Sequence, residues 1–205
     1  NGANNGANNG ANNGVPLGPY ISEEIGYGQD QLPATFAYPE NASGLPAVLL
    51  MHQLNQTRQE WTTHQVLPDL HVREVVTLAV DLRGHGTPPA GGVAWRSFAD
   101  EDWQKLAQDA SDAVQWLRDR PEVDPERITI VGGSIGANAA LLAFAADDRL
   151  LAGAFLSPGL PEYRGVNIED AMTSAGTRHV LVVGSRGDSS RAADAESLAG
   201  QAENA

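Results

Sequence analysis

The stretch Arg127-Ile128-Thr129-Ile130-Val131-Gly132-Gly133-Ser134-Ile135-Gly136 decides how this sequence folds. Its first half is a short apolar run rich in β-branched residues, the pattern of a strand buried on both faces. Its second half opens the apolar, alanine-rich segment 135–146, which reads as a helix. Between them stands Gly-x-Ser-x-Gly. Five residues of that kind recur by chance in many proteins; a strand before and a helix after are the context that gives them meaning. A serine hydroxyl is a weak nucleophile and must be presented clear of the sheet, where a base can reach it. A sharp strand-to-helix turn does this, but it strains the serine backbone and brings strand and helix close together. Gly132 and Gly136 are expected to leave room for that approach, and Gly133 to relieve crowding beside the serine. The helix N-terminus then aims free backbone N–H groups at a reacting carbonyl oxygen. A phosphate cradle, the other use of such a turn, wants Gly-Lys-Ser/Thr, and this turn holds no lysine.

Outward from this turn, residues 46–51 (Pro-Ala-Val-Leu-Leu-Met) and 72–80, ending at Asp81, read as two more buried strands. Thr57-Arg58-Gln59-Glu60 has capping-box spacing and is expected to open a short helix carrying Trp61. Residues 100–120 form a long amphipathic helix, since Trp103, Leu106, Ala110, Ala113, Val114 and Leu117 recur at spacings of three and four. Pro121 and Pro125 mark its end and the following turn. Residues 22–27 and 31–38 read as a hairpin joined through Gly28-Gln29-Asp30. Residues 150–156 and 179–183 supply two further strands, with a short helix near 168–174 between them and a polar helix at 190–201. Strands alternating with helices require right-handed crossovers, so the fold class is α/β, a mostly parallel sheet with helices on both faces.

The 205 residues suit one folded domain, placed at 15–205. Residues 1–14 repeat Asn-Gly-Ala-Asn with no apolar face and read as a flexible tether. A tether of this kind suits an exported or surface-anchored protein. The net charge of -13, from 26 acidic against 13 basic residues, repels phosphate backbones and argues against a nucleic-acid partner. The single lysine, Lys105, makes no basic patch for lipid, and no apolar run reaches the roughly 18 residues of a spanning helix. Cysteine is absent, which excludes disulfides and thiolate chemistry. No His/Asp/Glu cluster has ligand spacing, so neither a metal nor another cofactor is expected.

Four motifs stand in order at the C-terminal ends of predicted strands: Leu49-Leu50-Met51-His52-Gln53-Leu54, Asp81-Leu82-Arg83-Gly84-His85-Gly86, the Gly132 to Gly136 turn, and Val183-Gly184-Ser185-Arg186-Gly187-Asp188. On these the chain resembles the α/β-hydrolase superfamily, and within it the small lidless esterases grouped with dienelactone hydrolases, over residues 22–190. The resemblance implies Ser134 as nucleophile, the backbone N–H groups of Leu54 and Ile135 as oxyanion hole, and Asp188 as the acid of the triad. Asp188 equally suits a helix N-cap. Dienelactone hydrolases proper use a cysteine nucleophile, so its absence here favours a carboxylesterase acting through an acyl-enzyme on a small-molecule ester. A thioesterase or peptidase would use the same residues. Fewer than two dozen residues separate the strands at 150–156 and 179–183, too few for a large helical cap, which suits small to medium acyl esters. Leu54, Trp61, Trp95 and Tyr163 are the candidate pocket residues.

In this fold the triad runs Ser, then Asp, then His, yet no histidine follows Asp188. The expectation is that the native chain continues past Ala205 with a strand, a histidine loop and a helix, on the order of 40 to 60 residues. His52, beside the oxyanion loop, and His85, which braces the Arg-Gly-His-Gly segment, stay open as surrogate bases. His179 starts a strand and is expected at the opposite edge of the sheet, with His64 and His71 on or after the first helix, away from the site. A second class of function also stays open: a binding module, catalytically impaired or non-catalytic, that keeps the turn without its base.

Overall fold

The computed structural model describes residues 20–63 and 66–202; the 1–14 repeat and His64 lie outside the described residues. Strands β1 (Tyr20–Tyr27) and β2 (Leu32–Pro39) pair antiparallel as expected, the chain reversing at Gly28, φ +66°, and Gln31, φ +50°. Strand β3 (Leu45–Met51) is apolar throughout and lies at the centre of the sheet. Strand β4 (Val76–Val80) is buried at every residue. Strands β5 (Val123–Gly133) and β6 (Ala152–Leu156) follow. A two-stranded ribbon, β7 (Glu162–Tyr163) with β8 (Val166–Asn167), precedes β9 (His179–Val183). The main sheet has seven strands in the order β1-β2-β4-β3-β5-β6-β9, antiparallel at β1-β2-β4 and parallel from β4 onward. This is the mostly parallel α/β architecture the alternation predicts.

Helices α1 (Gln59–Thr62) and α2 (Val66–His71) cover one face, where Trp61 and Leu67 pack on Val48, Leu50 and Ala79. Helix α3 (Asp100–Arg118) buries its predicted stripe in the larger core, on the other face with Leu49 and Met51. Helix α4 (Ile135–Ala146) packs on β5 and β6 beside α3 and is covered by the β7-β8 ribbon, which is why it is apolar nearly all round. Helix α5 (Ser189–Ala199) joins this core through Leu198. Alternation along β3 divides these residues between the two faces.

Four local expectations are corrected. Strand β4 starts at Val76, because residues 66–71 are α2 and Glu74, at φ +56°, turns the chain out of it. The capping box at Thr57 does not form: the N-cap is Arg58, without a side-chain bond, and Glu60 bonds elsewhere. Pro125 sits within β5, where residues 124–127 bulge out between the pairs Leu45↔Val123 and Ala47↔Ile128. The helix near 168–174 is one 3-10 turn, Thr173–Ala175, and the β7-β8 ribbon precedes it. Arg164 (φ +55°) and Gly165 (φ +78°) give that ribbon its two-residue turn.

The far end of the sheet is unlike its middle. Among the described residues β9 pairs only with β6. On the α1/α2 side, Val131, Ala154 and Leu156 are half-buried, while Leu181 and Val183 are 57% and 41% exposed.

Candidate active site

Ser134 joins β5 to α4 with φ +51° and ψ -117°, a backbone state that residues other than glycine rarely adopt. Its surroundings hold it there. The Ser134 N–H donates to the Leu156 carbonyl at 2.8 Å, and its own carbonyl accepts from the N–H groups of Ala137 (2.9 Å) and Asn138 (3.2 Å). A Cβ on Gly132 would lie 2.2 Å from the Gly136 oxygen, and one on Gly136 would lie 2.5 Å from the His52 oxygen. These two glycines are therefore fixed by contact, as the turn demands. Gly133 is not: a Cβ there would meet Gln53 at 3.7 Å, an ordinary distance, so it does not relieve crowding.

The segment after β3 lies against this turn. His52 is fully buried, its Nε2 accepts from the Leu82 N–H (2.9 Å), and its Nδ1 donates to the Gln53 carbonyl (2.8 Å). Burial drives its pKa down to about 3. A neutral ring with both nitrogens engaged cannot serve as the base. The Gln53 N–H donates to Glu60 Oε2 (3.0 Å) and the Gln53 amide nitrogen to Glu60 Oε1 (2.6 Å). Among the described residues the N–H groups of Leu54 and Ile135 meet no acceptor; Ile135 is the first residue of α4 and has none within the helix. Glu60 thus ties down the loop carrying Leu54, a role hidden in the sequence because its spacing from Thr57 imitates a cap. Arg58 ties the same region to the sheet: its N–H donates to Asp81 Oδ1 (2.7 Å), and its guanidinium pairs with Asp81 and Glu24.

The remaining histidines are placed as follows. His85 Nδ1 donates to the Arg83 carbonyl (2.9 Å), and its ring stacks on Trp95 (5.8 Å between centroids) and stands edge-on to His52 (4.9 Å). Burial lowers its pKa too. It braces the loop, as the resemblance implies. His71 stacks under Tyr20 at 3.7 Å, with Nε2 3.3 Å from Thr77 Oγ1. His179 pairs with Ala152 at the start of β9, the end of the sheet opposite Ser134.

Asp188 follows β9 at the same end of the sheet as Ser134 and is exposed. Its Oδ1 accepts from Ser190 Oγ (2.8 Å) and from the Arg191 N–H (3.2 Å), so it caps α5, and these bonds hold its carboxyl below the usual range. Asn138 is a polar residue in an apolar helix, and no sequence motif assigns it a role. Its side chain is buried, donating to the Gly159 (2.9 Å) and Val166 (3.0 Å) carbonyls and accepting from the Gly159 N–H (2.9 Å), which fastens the β6-β7 loop over α4.

Of the candidate pocket residues, Trp61 is core beneath β3 and β4, Leu54 packs at the edge of the main core, and Tyr163 lies under the Arg191 guanidinium (4.9 Å). Trp95 does line a cavity, of about 290 Å³, with Asn55, Gln56, His85 and Arg96 among its other walls. Among the described residues no group of three His, Cys, Asp or Glu could hold a metal ion, and no helix is long and apolar enough to cross a membrane.

The model of the Alpha/beta hydrolase family matches residues 42–201. The chain is 34% identical over 115 residues to the polyketide transferase ATR5 of Stachybotrys chlorohalonatus, covering 56% of this chain and 36% of that one. It is 31% identical over 115 residues to the thiohydrolase apmlB of Arthrinium phaeospermum, covering 56% and 35%. It thus spans about a third of the length of these curated relatives. The dienelactone hydrolase of Anabaena variabilis superposes with a TM-score of 0.66 at 20% identity, over 92% of this chain and 83% of that one. The carboxylesterase EstE1, cloned from a metagenomic library, gives 0.61 at 21% identity, over 91% and 75%. At these identities the structural likeness concerns the fold.

Proposed function

Because the chain belongs to the alpha/beta hydrolase family, we propose that it works as a serine hydrolase of carboxylesterase type, with Ser134 as nucleophile. The observation that carries this reading is the strained Ser134 backbone, held by two glycines that contact leaves no freedom to replace. In the proposed reaction Ser134 Oγ attacks the ester carbonyl while its proton passes to a histidine base. The carbonyl oxygen becomes an anion that accepts from the Leu54 and Ile135 N–H groups, each such donor being worth about 3 kcal/mol in comparable sites. The intermediate collapses, the protonated base gives its proton to the leaving alcohol, and water, activated by the same base, releases the acid. Asp188 orients the histidine.

That histidine is proposed to come from a segment beyond Ala205. The support is structural: His52 is fully engaged, His71 and His179 lie elsewhere, and among the described residues β9 has an unpaired edge and open apolar residues for such a segment to cover. The short β6-β9 connection, a ribbon and one 3-10 turn, supports small to medium acyl esters as substrates.

The test is labelling with a fluorophosphonate probe, followed by turnover of short p-nitrophenyl esters. The protein is expressed from its native reading frame through the stop codon, beside Ser134→Ala. Labelling and turnover are expected in the first and neither in the second. A folded native protein that does neither would overturn the reading in favour of a binding module, and a stop codon directly after Ala205 would sink the proposed source of the base. Asp188→Asn is expected to lower kcat by at least a hundredfold; a loss of thermal stability alone would leave it a cap.

A further inference from the structure

We propose that Arg191 and Asp194, at the start of α5, are positioning residues for Asp188, the end of a strut that runs from the helix behind Ser134 to the turn holding the acid. The catalytic consequence rests on the hydrolase reading; the strut itself does not.

Asp188 has little else to hold it. Residues 185–190, between β9 and the body of α5, are all exposed. Among the described residues its carboxylate accepts only from Ser190 Oγ and the Arg191 N–H, both in the helix it caps. Asp188 therefore stands where the first turn of α5 stands. For an acid that orients a base this matters, since a shift of about 1 Å in a catalytic group can cost roughly a hundredfold in rate.

That turn is fixed from two sides. A Cβ on Gly184, just after β9, would lie 2.6 Å from the Arg191 carbonyl oxygen and 2.7 Å from Ala192 Cα, so the turn is pressed against the end of the strand. A Cβ on Gly159 would lie 2.6 Å from Arg191 Nη1 and 2.8 Å from Tyr163 Cβ, so the guanidinium is packed on the β6-β7 loop. Arg191 Nη1 donates to Asp194 Oδ2 (2.9 Å), and the same oxygen accepts from the Leu160 N–H (3.3 Å).

The loop is in turn anchored to α4. The buried Asn138 side chain takes both the N–H and the carbonyl of Gly159, and the Asn138 N–H donates to the Ser134 carbonyl. The links thus pass from Ser134 through Asn138 to Gly159 and Leu160, and on through Asp194 and Arg191 to Asp188. An i,i+3 ion pair on one helix adds little stability by itself. Here each member has a second partner off the helix, the Leu160 N–H for Asp194 and the Tyr163 ring for Arg191, so the pair fixes an orientation. Nucleophile and acid share one mechanical reference, although β6 separates the strands β5 and β9 that lead to them.

Two measurements test the strut. In the 205-residue chain, Asp194→Ala is expected to speed hydrogen exchange of the Arg191 N–H, the one bonded to Asp188, by about tenfold, with the β5 amides unchanged. An Arg191 N–H that exchanges as before would overturn the proposal, because the links would then stop short of Asp188. In the protein expressed from its native reading frame, Asp194→Ala is expected to lower kcat on short p-nitrophenyl esters about tenfold with KM within about twofold. Asp194→Asn, which keeps an oxygen for the Leu160 N–H, should lose only about threefold. Asp124→Ala breaks another i,i+3 pair, with Arg127 near the start of β5, and should leave kcat unchanged. Made on Asp188→Asn, the Asp194→Ala change should cost less than about twofold, since there is no acid left to place. An equal cost in both backgrounds, or an Asp188→Asn enzyme with full kcat, would overturn the positioning role. Gly159→Ala, whose Cβ displaces Arg191 with Asp194 intact, gives the same readouts where Asp194→Ala does not fold. A native protein that the fluorophosphonate probe does not label would remove the hydrolase reading, and the Arg191 exchange would still decide the strut.

Discussion

Strand β3, Leu-Pro-Ala-Val-Leu-Leu-Met, and residues 180–183 of β9, Val-Leu-Val-Val, are both unbroken apolar runs, yet they live in different surroundings. Strand β3 is covered on both faces, and the Ser134 turn beside it is fixed by close contacts and hydrogen bonds. Among the described residues strand β9 is covered on one face only, and its side chains alternate between half-buried and exposed. A continuous apolar run is the signature of a strand with cover on both faces. The composition of β9 therefore calls for a covering element that the described residues do not provide. The half of the site proposed to need rigidity before substrate arrives, Ser134 with the Leu54 and Ile135 N–H groups, lies on the closed side. The half that would hold the base lies on the open one.

The sharpest way to break this contrast is to insert a methyl group on the closed side. Gly132→Ala puts a Cβ against the Gly136 oxygen, and Gly136→Ala puts one against the His52 and Met51 oxygens, so neither fits without parting α4 from β5 or from the end of β3. Each is expected to cost at least about 3 kcal/mol, or to prevent folding. Gly133→Ala, in the same turn, should stay within about 1 kcal/mol, since its Cβ has only ordinary contacts. Urea midpoints of the three variants check this, and equal costs would show that the turn yields as a whole.

Asn138→Leu comes next. It removes three hydrogen bonds and leaves the buried Gly159 N–H and carbonyl without these partners, with an expected cost of about 2 to 4 kcal/mol. Hydrogen exchange should show the β6-β7 loop opening before the sheet does.

The contrast extends to what could be read from sequence. The Ser134 turn, α3 and the central strands were legible because each obeys one strong local rule: glycines at a tight approach, a three-and-four stripe, an unbroken apolar run. The start of β4 was not, because Val72 and Val75 extend its apolar run backwards through a turn that only Glu74 marks, by a conformation no composition reveals. The β7-β8 ribbon was hidden because Arg164-Gly165 is not among the usual turn pairs for such a reversal. Asn138 owes its role to partners distant in sequence, Gly159 lying 21 and Val166 28 residues away, while Glu60 bonds Gln53, 7 residues back, in place of the cap its spacing imitates. Residue type suggested Ser134 and Asp188; only geometry removes His52 from the candidate bases.

His52 also gives the closed side a pH dependence. Its folded pKa is about 3 against roughly 6.5 when unfolded, so between these values the unfolded chain binds a proton that the folded one does not. Stability is then complete above pH 6.5 and falls as pH drops, by at most about 1.4 kcal/mol per unit, or about 2 kcal/mol from pH 6.5 to 5. His85 and His71, both lowered by burial, add in the same direction. Urea titrations across this window measure the slope, and His52→Asn should flatten it. An unchanged slope would place the proton elsewhere.

The smallest effect is expected on the open side, and there it depends on what covers the sheet. In the 205-residue chain Leu181→Lys should change stability by no more than about 0.5 kcal/mol, because Leu181 is 57% exposed and its removal opens no cavity. It should also raise solubility, a charge beside an unpaired edge strand being a known guard against edge-to-edge pairing. In a chain continued by a strand and helix over β9, the same substitution buries a charge and should cost about 2 kcal/mol or more. Measuring Leu181→Lys in both lengths therefore reads the cover directly. A near-zero change in both would mean that this face stays open to solvent, and the histidine would then have to approach Ser134 by another route than across β9.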